Sequence, residues 1–419
     1  MPIPLLNRLF HTEAAAPSRS SASNTRRGIS SGLVALIVAA VVAAGAVLAS
    51  RFVTPARPTD RGSPTPSQAP QSPSPTPAQS PAGSVAPPES GVGQTPAVIR
   101  FGVERPVPRP AGTIRIASYN VENLFDPPAT GRPDPAQPVK PDEHRDGLAR
   151  AIRAIDADVL ALQEVGSLEV LKKFRDEYLA DMGYEHVVSI DAGDSRGIEN
   201  SVLSRFPLRD PTLWIGLELG GSQPDRMGRD RNPEAGRPFA FRRSPLRVTV
   251  EVPASRVADI LTGKAGAEDA RPYILTLFVV HHKAGRSAGE QEWRLWEARK
   301  IVELAKEVEQ TIDGANIIVL GDFNAGLDEP PMRTYLDAGF VDAFKERSTG
   351  DPRFLTHASQ RAIDFILLNQ NARHELVPET AFILGTPQRP LNMDWRTTPP
   401  PPGYASDHSP VVIDLRPAD

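Results

Sequence analysis

Asn316-Ile-Ile-Val-Leu-Gly-Asp322-Phe-Asn324 is an apolar run that ends in a glycine, a carboxylate and an amide. A short apolar run bounded in this way reads as a buried strand, and its glycine marks a place where another backbone comes close. Side chains alternate along a strand, so Asp322 and Asn324 share one side while Phe323 turns into the core. Two polar groups aimed past a strand end suit a base beside a phosphate. Taken alone, the pair equally suits an ordinary turn, because Asp and Asn are common turn residues.

The same signature recurs on both sides of this run. Thr113-Ile-Arg-Ile-Ala-Ser-Tyr-Asn120-Val-Glu122 alternates as a strand, and the period of two puts Asn120 and Glu122 on one face. A Pro-rich loop follows from Asp126 to Asp142, then Leu148, Ile152 and Ile155 at helical spacing, with Asp142 as the expected N-cap. Asp158-Val-Leu-Ala-Leu-Gln163-Glu164 reads as a buried strand that delivers a glutamate, an oxygen ligand of the kind a hard divalent cation takes. A helix is expected over about 168–182 and a short strand from Ser201. Strands are expected over 244–252 and 273–281, the second running into His281-His282-Lys283, where alternation lets only one histidine face a site. A long helix from Ala288 to Thr311 carries Trp293, Trp296, Ile301 and Leu304 as core positions, tryptophans for packing rather than for stacking on a substrate. Ala362-Ile-Asp364-Phe-Ile and Ser406-Asp407-His408-Ser-Pro complete the set, the latter entering a last strand at Val411. A strand-end histidine offers a proton donor or phosphate ligand, and an adjacent Asp-His pair offers a carboxylate that orients an imidazole, or a ligand set.

Proline punctuates the rest of the chain. Of 419 residues 44 are proline, and they are concentrated, so much of the chain lies outside a folded domain. Residues 1–31 read as a cytoplasmic segment and 32–50, small and apolar throughout, as one transmembrane helix. Arg8, Arg19, Arg26 and Arg27 precede it and place the chain after Ser50 outside the cell membrane as a single-pass protein, though a signal peptide cleaved near Ala49 would export the chain as a secreted form. Residues 51–112 are rich in Pro, Ser and Thr and read as a disordered linker, which leaves 113–419 as one large domain. With no cysteine, no disulfide can support that domain outside the cell, so its apolar core must. A net charge of −4 does not advertise a nucleic-acid surface, and the arginines between Arg226 and Arg247 read as a solvated loop.

The series Ser-Tyr-Asn120-Val-Glu122, Leu-Gln-Glu164-Val, Val-His281-His-Lys, Gly-Asp322-Phe-Asn324, Ile-Asp364-Phe-Ile and Ser-Asp407-His408-Ser-Pro resembles the endonuclease/exonuclease/phosphatase family, the DNase I-like fold, over most of 113–416. The resemblance implies a four-layered α/β/β/α sandwich with the active site at one end. It implies that Glu164 is the main ligand of Mg2+ or Mn2+, with Asn120, Glu122 and Asp407 as further metal contacts. Asp322 would position and deprotonate the attacking water, while Asn120, Asn324 and His408 would hold the phosphate. His281 would act on the phosphate or the leaving group, oriented by Asp364. Gly166 departs from members that place an arginine there, and Ala284 stands where a serine is frequent.

The function expected from the sequence is divalent-metal-dependent hydrolysis of phosphodiester bonds, in the form of a membrane-tethered nuclease with nucleic acid as partner. The same chemistry on a phospholipid or inositol phosphate is the alternative, and the loops at 126–142, 208–243 and 386–405, with Trp395 and Tyr404, should border the site and choose between them. A non-catalytic binding module would have lost at least one of Glu164, Asp322 or His408, and all three are present.

Overall fold

The structure, a computed structural model, describes residues 100–128, 134–262, 271–347, 350–391, 393–394 and 397–417. The expected cytoplasmic segment, the membrane span at 32–50 and linker residues 51–99 lie outside the described residues, as does Trp395. Among those described, no helix is long and apolar enough to cross a membrane. Residues 101–112, at the far end of the expected linker, are packed: Phe101 is buried and Val103 bridges to Leu384. The folded chain thus begins ahead of Thr113, because Phe101 finds apolar cover.

In chain order the strands are β1 (Ile114–Leu124), β2 (Val159–Val165), β3 (His186–Ser189), β4 (Glu199–Ser204), β5 (Leu208–Thr212), β6 (Glu218–Gly220), β7 (Arg226–Met227), β8 (Asp230–Arg231), β9 (Phe239–Ala240), β10 (Leu246–Val252), β11 (Tyr273–His281), β12 (Asn316–Asp322), β13 (Val341–Asp342), β14 (Asp364–Leu368), β15 (Phe382–Ile383) and β16 (Val411–Leu415). The helices are α1 (Asp142–Ile155), α2 (Leu168–Tyr178), α3 (Ala254–Thr262), α4 (Ala288–Thr311), α5 (Pro330–Asp337) and α6 (Gln370–Glu375). Two six-stranded sheets form, in the orders β15-β16-β1-β2-β4-β3 and β13-β14-β12-β11-β10-β5. Each contains one parallel pair, β1/β2 and β11/β12, and its other neighbours run antiparallel. Parallel neighbours need a crossover, which α1 supplies in the first sheet and α4 in the second.

Alternation along the strands divides the apolar residues between two faces. Ile116, Val159, Ala161 and Val202 of the first sheet meet Val248, Leu275, Leu277, Ile318 and Ile366 of the second in one central core. Their neighbours face outward, Tyr119, Leu160 and Leu162 onto Leu148 and Ile152 of α1 and Phe174 of α2. On the other flank Phe278, Ile317 and Val319 pack on Trp293, Ile301 and Leu304 of α4 and Met332 of α5. Four layers result, α/β/β/α, as the resemblance implied. Each fully buried Val, Leu or Ile contributes about 1.5–3 kcal/mol, and it is this core that holds a domain without cysteine.

Four local expectations change. Pro141, not Asp142, is the N-cap of α1 and makes no side-chain cap hydrogen bond, so Asp142 sits in the first turn, where a carboxylate favours the helix dipole. α2 stops at Tyr178 and a 3-10 turn, Ala180–Met182, finishes the stretch expected as one helix. Trp296 is only half-buried, its indole lying over Gly220 and Gly221, where a Cβ would run into it. The insert at 208–243 mostly lies away from the site: β5 extends the edge of the second sheet, and Leu219, Phe239 and Phe241 pack on Trp293. Only its end, Arg242 and Arg243, reaches the cleft.

Candidate active site

The C-terminal ends of both parallel pairs open on the same edge of the sandwich, the usual place for a site in sheets with parallel strands. There a cleft of about 830 Å³ is lined by Glu122, Glu164, His281, Asp322, Asn324, Asp407 and His408 among others. Asn120 lies beneath it, reaching Asp322 through its side-chain amide.

Asp322 is the point where the two sheets meet. Gly321, at φ 144°, lets β12 pass against β11, since a Cβ would run into the Val280 carbonyl oxygen. Phe323 is fully buried, and Asp322 turns the other way into a ring of donors. Its Oδ2 accepts from Asn120 Nδ2 at 3.2 Å and Asn324 Nδ2 at 3.1 Å, and its Oδ1 from the Asn324 backbone N–H at 2.8 Å. His281 Nε2 stands 3.5 Å and His408 Nε2 3.8 Å from Oδ2. Burial pushes the Asp322 carboxyl up to about 6; His408 pulls against that rise and the charge of Asp364 adds to it. A carboxylate poised there is suited to taking a proton near neutral pH.

Of the two adjacent histidines, His281 faces the site. His282 points into the outer layer, its Nε2 3.0 Å from Tyr335 Oη and its Nδ1 3.2 Å from Glu297. Asp364 does not orient His281. In the ladder His281 pairs with Asp322 and Asp322 with Asp364, so two strand spacings separate Asp364 from that histidine. Asp364 instead binds His408 Nδ1 at 2.9 and 3.1 Å. Burial alone would lower His408, but Asp364, Asp322 and Asp407 hold it well above the usual histidine range, as a cation. His281, buried and facing Arg243, is held well below that range and stays neutral.

Strand ends of the first sheet bend to deliver their acids. The β1/β2 and β2/β4 ladders slip at Asn120/Leu124 and Gln163/Val165, and Glu122, Asn123 and Glu164 have φ of 50°, 57° and 66°. Such left-handed backbone costs non-glycine residues on the order of 1–3 kcal/mol each, and its concentration here marks a site. Through the bend Glu122 reaches the cleft. It accepts from Tyr404 Oη at 2.7 Å, while its backbone N–H donates to Asn120 Oδ1 at 3.1 Å.

These residues offer the oxygen donors that a hard divalent cation prefers. Carboxylates of Glu122, Glu164 and Asp407 line the cleft, and Asn123 Oδ1 is a buried acceptor with no hydrogen-bond partner among the described residues. Burial, then the neighbouring charge of Asp407, pushes Glu122 up to about 7, a sign of crowded negative charge that a cation would relieve. His357, Asp407 and His408 also place possible ligand atoms within 4.8 Å of one another, as do Asp322, Asp364 and His408.

Sequence reading missed several groups. His357 lies in the loop before β14, which has no periodicity to flag it, with Nε2 3.3 Å from Asp407. Arg243, read as part of a solvated stretch, is buried and donates to the His281 and His282 carbonyls at 3.1 and 2.9 Å. Lys140 is buried with Nζ 3.3 Å from the Glu122 carbonyl. The loop at 386–405 borders the cleft as expected, through Gln388, Arg389, Pro390, Leu391 and Met393. At Gly166 an added Cβ would run into the Phe125 ring, which explains the missing arginine.

Residues 117–408 match the Endonuclease/Exonuclease/phosphatase family. No curated protein matches the chain. Among solved structures, the human nocturnin catalytic domain with bound sulfate is 15% identical, over 75% of this chain and 96% of its own, with a TM-score of 0.44. A mannosyl-6-phosphatase of Bacteroides thetaiotaomicron is 15% identical over 72% and 99%, at 0.42. A 3' phosphatase of Neisseria bound to a product DNA hairpin is 17% identical over 72% and 99%, also at 0.42. None of the three assigns a substrate to this chain.

Proposed function

The chain belongs to the endonuclease/exonuclease/phosphatase family of phosphoester hydrolases, and from that premise we propose that it is a divalent-metal-dependent phosphodiesterase acting on nucleic acid. The observation that carries this reading is Asp322, a buried carboxylate pushed up to about 6 and ringed by donors from both sheets. Asp322 takes the proton of the attacking water. Asn120 and Asn324 fix its oxygens, and Asn324 is braced in turn by the His282 carbonyl at 3.2 Å. His408, kept cationic by Asp364, donates to a phosphate oxygen, and neutral His281 donates to another from the far side of Asp322. A divalent cation held by Glu164, Glu122 and Asp407 would neutralise charge as it builds on the phosphate.

Nucleic acid is favoured over a small monoester by the basic residues spread around the cleft. Arg196, Arg242, Lys283, Arg286, Arg361 and Arg389 all line it, although the whole chain carries a net charge of −4. Four of them already stand within 4.0 Å of a carboxylate, Arg196 of Glu164, Lys283 of Glu290, Arg361 of Glu329 and Arg389 of Glu122, and a strand, which presents a phosphate at each nucleotide, gives Arg242 and Arg286 partners that one phosphate would not. An apolar lip of Pro390, Leu391 and Met393, the last 57% exposed, favours a second reading in which the ester belongs to a lipid headgroup. Tethering through 32–50, with the domain outside the membrane, belongs to the same proposal and predicts that protease added to intact cells removes the domain.

A panel of plasmid DNA, RNA, a synthetic diester, a monoester and sphingomyelin, each with and without Mg2+ or Mn2+, tests the substrate. Nucleic acid and the diester should turn over, and only with metal. Turnover of sphingomyelin with intact DNA and RNA would overturn the nucleic-acid reading in favour of the lipid.

A further inference from the structure

His357 belongs to none of the motifs that single out the other site residues, yet its ring forms part of the cleft wall. Its backbone is tied down on two sides. The Thr356 and His357 N–H groups donate to the Arg361 carbonyl at 3.0 and 3.1 Å, closing a turn in which Gln360 takes φ 59°. That turn is strapped to the segment carrying Asp407 and His408: Ala358 N–H donates to the Asp407 carbonyl at 2.8 Å, and Ser409 N–H to the Thr356 carbonyl at 2.7 Å. Thr356 Oγ1 also accepts from the Ile363 and Asp364 N–H groups at 3.0 and 3.1 Å. The imidazole is therefore held in place with Asp407 on one side and the His408 ring, 4.5 Å away edge-on, against it.

Its hydrogen bonds fix which nitrogen carries the proton. The backbone N–H of Ser359 donates to Nδ1 at 2.9 Å, and Ser359 Oγ lies 2.7 Å from the same atom. A main-chain N–H can only donate, so Nδ1 presents its lone pair and the ring proton sits on Nε2. Nε2 in turn is 3.3 Å from Asp407 Oδ2. A nitrogen that bears a proton cannot ligate a metal, so the closeness of His357, Asp407 and His408 has a meaning other than a three-residue metal site. Donation to Oδ2 sets the plane of the Asp407 carboxylate and leaves Oδ1, 3.8 Å from His408 Nε2, on the side of the second histidine.

We propose that His357 is a positioning residue of the reaction, a fixed Nε2–H donor that holds Asp407 in the orientation needed for cation binding and is not itself a ligand. This rests on the metal-dependent reading above. Outer partners that orient a ligand typically change metal affinity by about 10–100-fold when removed.

The test uses the full chain, with Mn2+ and Mg2+ as probes and no substrate. In protein labelled with 15N histidine, the His357 signal, assigned by its loss in H357Q, should show a protonated Nε2 and an unprotonated Nδ1, and should keep that pattern when Mg2+ is added. Mn2+ titration followed by electron paramagnetic resonance should give about tenfold weaker binding in H357F, which keeps a ring and loses the donor. H357Q, whose amide places an N–H near the same point, should restore most of the affinity. A proton on Nδ1, transfer of Nε2 to the metal, or wild-type Mn2+ affinity in H357F would each overturn the proposal. The tautomer is read without variants of doubtful folding. If the wild type binds no cation, the metal-dependent function fails, while the tautomer alone still decides whether His357 is a donor.

Discussion

The two crossover units β1-α1-β2 and β11-α4-β12 are built alike and carry different chemistry. Both are parallel pairs inside otherwise antiparallel sheets, and both end at the same edge. The first ends in slipped ladders and left-handed residues, delivering Glu122, Asn123 and Glu164. The second keeps unbroken pairing from Leu275/Asn316 to His281/Asp322, with positive φ at Gly321 and, just past the strand, at Asn324, and brings a carboxylate among amides and imidazoles. Backbone distortion gathers on the side that delivers Glu122, Asn123 and Glu164. On the proposed reading the two sheets would divide the work, the first collecting a cation and the second activating water.

That division is most exposed at Asp322. D322N should lower kcat by about 10²–10⁴-fold, the range for loss of a general base, with KM changed little. A single-turnover assay on the diester reads it, and near-wild-type kcat would return the base to the first sheet. The counterpart in the first sheet is E164Q. It should raise the Mg2+ concentration for half-maximal activity by tenfold or more on the scale of losses at metal sites, while much of kcat returns at saturating metal. An unchanged metal midpoint would break the assignment of Glu164.

Protonation sharpens the same comparison. Only ionised Asp322 accepts a proton, and folding raises its carboxyl to about 6, so kcat should fall as pH drops through that value and level off above it. A bound cation favours the carboxylate, which moves the limb to lower pH and never higher. An acid limb above 7 in the presence of Mg2+ would point to another base. The smallest effect is expected at the rim: R286A should raise KM for DNA a few-fold and weaken its salt dependence, because exposed phosphate contacts are screened by salt. Equal KM at low and high salt in both proteins would remove that residue from the strand path.

Much of this could be read in the sequence because long periodic segments declare themselves. Tyr273–His281 and Ala288–Thr311 form the strand and helix expected, with the bounds expected. The polar strand ends were legible too, since apolar runs that stop on Asp, Glu, Asn or His have few packing reasons to do so. What one strand cannot reveal is its neighbour. The resemblance pairs Asp364 with His281, and only the order β14-β12-β11 shows Asp322 standing between them. Alternation alone does not mark the positive φ of Glu122 and Asn123 that bends the end of β1. His357 and Arg243 sit on irregular backbone, where no period marks which side chain turns inward.

Direct Mn2+ binding to D322N and E164Q, measured by isothermal titration without substrate, is the sharpest test of the divided site. The account predicts wild-type affinity within a few-fold for D322N and a loss of on the order of tenfold or more for E164Q. Equal losses in both would contradict it, since the two sheets would then share one function at the cation.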